Sequence, residues 1–107
     1  MLYIQEGKTI DYTNAGAAAI AYGDVVGLTN RIGIAGENIA VGATGSVHVT
    51  GVYEFPAINT AAFGVGDKLY YDTAAGKITN VETGNIPAGW ATEPKLLAGT
   101  TARVKID

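Results

Sequence analysis

A chain of 107 residues is the size of one domain, able to bury roughly two-thirds of the surface its unfolded form exposes, and so to hold a core of modest size. Charged residues make up 16%, against roughly 25% in ordinary globular chains, while hydrophobic residues reach 48%; a surface this poor in charge is expected to be partly covered by neighbours. Seven scattered basic residues among ten acids, a net charge of −3, no cysteine and one histidine give no clustered basic footprint for nucleic acid, no disulfide framework and no thiolate metal site.

The N-terminal residues MLYIQE lack a basic stretch leading into an apolar one, and no run is long enough to form a membrane helix. The expectation is a soluble protein, made in the cytoplasm, without a membrane partner. Gly7-Lys8-Thr9 matches the end of a phosphate-binding loop, but the position five residues before Gly7, where such a loop needs glycine, is Leu2. Residues 8–13 then alternate polar and apolar as a half-buried strand does, whereas a phosphate loop opens a helix. The reading is a Gly-Lys turn into a strand.

Further along, the chain repeats itself. AAIAYGDVV (residues 18–26) aligns with AAFGVGDKL (residues 61–69) at an offset of 43, with Gly23 matching Gly66 and Asp24 matching Asp67. NIAVGAT (residues 38–44) also resembles NIPAGWAT (residues 85–92), at an offset of 47. Two copies of one unit are therefore expected over residues 17–56 and 60–106 of a single β domain, behind an N-terminal strand or arm at residues 1–13. In each copy a Gly-Asp turn feeds a strand, with Gly23 and Gly66 taking positive φ and Asp24 and Asp67 bonding nearby backbone N–H groups. Hairpins are predicted over residues 25–29 with 31–35 and over residues 68–72 with 77–81.

SVHVTGVYEF (residues 46–55) reads as the clearest strand, with its odd positions on one face, Val52 an exception, and Pro56 ending it. TARVKID (residues 101–107) alternates in the same way and suits a last strand. No segment carries a sustained helical stripe. The fold class is all-β: a small β-barrel or sandwich built from two duplicated β-hairpin units, with an N-terminal extended segment.

The chemistry is sparse. Asp24 and Asp67 could be imagined as paired carboxylates, but each is accounted for by its own turn. No nucleophile has a neighbouring base, and His48 would need two or three further ligands that the sequence does not cluster. Tyr53, Tyr70, Tyr71 and Trp90 could stack on bases or sugars, although aromatics in short strands more often fill a small core or a subunit interface. The expectation is a protein with no catalytic residues, no cofactor and no metal.

Taken together, IQEGKTIDYTNAGAAAIAYGDVVGLTNRIGIA, GATGSVHVTGVYEFP, GVGDKLYYD and the ending TTARVKI resemble a family of small phage and prophage proteins of capsid cement, or head-decoration, type. Some members of that family carry a RecA/RadA-type recombinase label, from which this chain departs by its length, by Leu2 and by its acidity. The resemblance implies a virion protein, made in the host cytoplasm, that binds the major capsid protein on the outer face of an assembled shell and bridges capsomers as a homo-oligomer. A trimer is favoured over a dimer, and no nucleic acid is implied. Tyr3, Ile4, Ile10 and Tyr12, ahead of the repeats, are the candidate capsid or subunit contacts. Two other readings stay open: a sugar-binding or host-attachment module of a head fibre or tail, and a DNA-binding recombination accessory.

Overall fold

Short runs of β-branched and aromatic residues between Gly- and Asn-rich turns favour strands over helices. The computed structural model describes residues 8–106, which hold nine strands and no helix: β1 (Thr9–Thr13), β2 (Val25–Leu28), β3 (Arg31–Ala35), β4 (Thr44–His48), β5 (Gly51–Pro56), β6 (Lys68–Asp72), β7 (Lys77–Thr79), β8 (Ile86–Ala91) and β9 (Thr101–Ile106). They form two antiparallel sheets, of order β1-β4-β3-β2 and β5-β9-β8-β6-β7. Contacts divide the chain into two compact units, one of residues 8–26 and 33–50, the other of Gly27–Ile32 with residues 51–106.

In the first unit β1 pairs with β4 from Thr9↔His48 to Thr13↔Thr44. Val26, Ile34, Ala35, Ile39 and Val47 are its buried apolar side chains, and an isolated bridge joins Ile20 to Ile39. Asn14, only 2% exposed, has its amide donating to the carbonyls of Ala18 (2.9 Å) and Ile39 (3.1 Å), while its Oδ1 accepts from the Gly16 N–H. A buried amide is tolerable only when satisfied in this way, and here it ties the end of β1 to two loops.

In the second unit β9 is an interior strand, paired with β5 along six residues and with β8 along three. Its alternation decides which face is core: Ala102, Val104 and Ile106 are buried and Thr101 and Arg103 exposed. A parallel bridge, Ala57↔Ile78, and the Ile58 N–H donating to the Ile78 carbonyl bring the chain after β5 against β7. One isolated bridge is not a ladder, so the sheet curls without closing. The architecture is all-β with two antiparallel sheets, and of the two alternatives expected the closed barrel is not formed.

The predicted continuous strand at residues 46–55 is instead two strands in different sheets. The Val49 N–H donates to the Lys8 carbonyl, extending the first sheet, and Gly51 at φ 121° then redirects the chain into β5. Both predicted hairpins are present, as β2 with β3 and β6 with β7.

Matching hydrogen bonds relate the two sheets. The Gly23 N–H donates to Ala35 and that of Ala35 to Asp24, as Gly66 donates to Ala91 and Ala91 to Asp67. Gly36 donates to Ser46 as Thr92 does to Arg103, and Ala43 to Ala40 as Gly99 does to Leu96. Thus β1, β4, β3 and β2 correspond to β5, β9, β8 and β6, while β7 has no counterpart among the described residues. The offset is 43 at Asp24 and Asp67 but 56 at Ala35 and Ala91, the difference being taken up by β7 and its turns. The likeness of residues 38–44 to 85–92 is not the one the hydrogen bonds follow, since Ile39 lies beyond β3 whereas Ile86, aligned with it, opens β8.

Candidate interaction surface

Each Gly-Asp turn is closed twice. Asp24 Oδ2 accepts from the Ala21 N–H (3.0 Å) and Asp67 Oδ2 from the Gly64 N–H (2.7 Å), while the Asp24 and Asp67 N–H groups return to the carbonyls of Ala21 and Gly64. Gly23 and Gly66 have φ of 85° and 90°. Side chain and main chain together fix a tight loop whose tip faces solvent, carrying Tyr22 (73% exposed) in one copy and Val65 (63%) in the other.

A second loop lies against each turn. In the first unit the Tyr22 N–H donates to Asn38 Oδ1 at 2.8 Å beside the Ile20↔Ile39 bridge, and Val41, 54% exposed, follows. In the second unit the corresponding bridge is Phe63↔Lys95, followed by Leu96 (82% exposed) and Leu97 (60%). Lys95 itself is only 6% exposed. Its ammonium donates to the carbonyls of Leu96 (2.9 Å), Gly99 (3.0 Å) and Leu97 (3.3 Å) and lies 5.0 Å from the centre of the Phe63 ring. A buried cation is costly unless its donors are satisfied, and three carbonyls with an aromatic face satisfy this one.

The second unit also carries an open groove of about 520 Å³ lined by Asn30, Arg31, Lys68, Tyr70, Glu82 and Trp90, among others. Two of the four aromatics singled out in the sequence, Tyr70 and Trp90, meet there, whereas Tyr53 packs edge to face on Phe55 with ring centres 6.3 Å apart. Partial burial, and then the Glu82 carboxylate that accepts the Tyr70 hydroxyl at 3.3 Å, hold the Tyr70 phenol above its ordinary value of 10.0. Arg103 pairs with Glu93 (3.2 Å) and Glu54 (3.9 Å) in exposed contacts of small energetic weight. No group of three or more His, Asp or Glu residues able to hold a metal stands together among the described residues.

Of the candidate contacts, Ile10 and Tyr12 are half-buried on β1, opposite Val47 and Gly45, at an edge of the first sheet. Tyr3 and Ile4 lie outside the described residues. Sequence reasoning missed the exposed apolar residues at the loop tips and the buried ammonium of Lys95. A signal for the tips was present, because Tyr22 and Val65 hold the same place ahead of the two Gly-Asp turns.

Compared with known families, the chain matches the model of the phage cement proteins over residues 4–106. No curated protein and no solved structure gives a significant match. A match over nearly the full length is decisive: the chain belongs to the phage cement protein family, structural proteins of the phage capsid.

Proposed function

We propose that the protein binds the outer surface of an assembled phage shell through its major capsid protein and stabilises the shell by bridging neighbouring capsomers. The observation that carries this reading, beside family membership, is the set of large apolar side chains held at solvent-facing loop tips by closed turns. Such side chains are unfavourable in water and become favourable when a partner covers them. The bound form is a small homo-oligomer, in which repeated weak contacts sum to a strong hold, and a trimer in preference to a dimer because an icosahedral lattice offers local threefold sites. The segment ahead of β1, with Tyr3 and Ile4, and the edge strand itself, with Ile10 and Tyr12, add contacts to the shell or to a neighbouring copy. A ligand that prefers the intact shell stabilises it by mass action.

Co-sedimentation with empty shells of the cognate major capsid protein tests the proposal. The expected result is saturation at a fixed symmetric ratio of bound copies per shell subunit, with greater heat resistance of the bound shells. Failure to pellet with both immature and expanded shells would overturn it. One observation favours a second reading, a sugar-binding head-fibre or tail module: Trp90 and Tyr70 share the open groove with polar groups suited to hydroxyls. Quenching of Trp90 fluorescence by oligosaccharides, without shell binding, is the outcome that reading requires.

A further inference from the structure

Folding holds a buried position to apolar side chains, or to polar ones whose groups are satisfied, but it exerts no such pressure on an exposed one. Apolar character retained at corresponding solvent-facing positions therefore points to a need other than the fold. Two such pairs stand among the described residues. Tyr22 and Val65 occupy the same place in turns related by matching hydrogen bonds, and both are largely exposed. Val41 and Leu97 each follow a residue whose carbonyl closes the same turn, Ala40 accepting from Ala43 and Leu96 from Gly99, and both are more than half exposed.

The second loops are held by different means. In the first unit the Asn14 amide donates to the Ile39 carbonyl, and main-chain bonds join Asn14 to Gly42 and Ala43. The residue corresponding to Asn14 is Ala57, which has no side-chain donor, and the residue corresponding to Ile39 is Lys95. The donor has moved from the strand to the loop: the Lys95 ammonium sits among the carbonyls of Leu96, Leu97 and Gly99. That arrangement fixes the backbone that presents Leu97.

We propose that each repeat carries the same kind of capsid contact, Tyr22 with Val41 in the first and Val65 with Leu97 in the second, each seating in an apolar site on the shell's outer face, and that Lys95 is the positioning residue of the second. The inference rests on the capsid reading above. The shell is the occupant because the chain belongs to a family of phage cement proteins, and a lattice of identical subunits presents many copies of one site, which like tips can each use. Tip-to-tip contact between copies of this chain is the competing occupant, and self-association reads it out.

The test is a shell-binding titration of the full chain with Tyr22→Ser, Leu97→Ser, their combination, Lys95→Met, and Lys95→Met combined with Leu97→Ser, circular dichroism verifying the fold of each. Single tip changes weaken binding about tenfold and the double change about a hundredfold, as separate contacts add in free energy. Lys95→Met weakens binding alone but adds nothing once Leu97 is serine, a pattern that a merely structural role would not give. Folded Tyr22→Ser and Leu97→Ser proteins that bind shells as the unaltered protein does would overturn the inference while leaving the capsid reading standing. Failure of the unaltered protein to bind would remove both. Loss of self-association in place of shell binding, seen by analytical ultracentrifugation, would reassign the tips to contacts between copies and overturn the inference.

Discussion

A β-carbon at Gly89 would overlap the Lys105 carbonyl oxygen, because β8 and β9 approach closely at the Gly89↔Ile106 pair and Gly89 has φ 152°. At Gly23 none of the described residues stands within 4 Å of such an atom, and the φ of 85° is what opposes a side chain. The same substitution therefore costs for different reasons. Gly23→Ala forces an L-residue into the left-handed region, at about 1–2 kcal/mol. Gly89→Ala must separate two interior strands, and its cost should far exceed the ~1 kcal/mol typical of a point change. Urea denaturation of both variants checks this, and equal midpoints would show that β8 and β9 can part cheaply. Gly23 was legible in the sequence because a Gly-Asp turn is local and its atoms lie within four residues. Gly89 was not, because the atom it must avoid belongs to the next strand.

Loops and strands show the same division between local and distant causes. The alternation of residues 46–55 runs in phase through Thr50 and Gly51, with Val47 and Phe55 both buried, so parity alone leaves no mark of the change of sheet. Val52, the one apolar residue on the polar face, is exposed in β5. The first half of the repeat was readable from Gly23-Asp24 and Gly66-Asp67, whose chemistry a turn demands. The second half was masked by β7, and the correspondence of Ile39 with Lys95, an aliphatic with a cation, appears only in the bridges. The candidate surface was legible only as residues beside those turns, since exposure at a loop tip depends on what the rest of the chain covers. Asn14 shows the energetic stake of one such clip. Asn14→Ala removes the donor to the Ala18 and Ile39 carbonyls, so it should destabilise the protein by about 1–3 kcal/mol, the cost of leaving buried partners unsatisfied. Denaturant titration measures it, and an unchanged midpoint would mean that other donors replace the amide.

At the scale of the whole molecule, the low charge and the exposed apolar tips make a prediction about how binding responds to salt. With 16% charged residues and a net charge of −3, the chain has little long-range field with which to steer a partner, and the pairs that Arg103 makes with Glu54 and Glu93 are exposed. Contacts made by burying Tyr22, Val41, Val65 and Leu97 release water from apolar surface and carry no counterions with them. Shell affinity should therefore change by less than about threefold between low and molar salt, where screening shortens to about 3 Å, and the binding heat capacity should be negative. A DNA-binding accessory would behave in the opposite way, because each neutralised phosphate adds to a steep loss of affinity with salt. Calorimetric titration of shells at several salt concentrations separates the two. A flat response with a negative heat-capacity change would place the energy of attachment in the apolar tips. A steep loss with salt would move it to charged groups, with Arg31 and Lys68 in the groove the first to replace by glutamine.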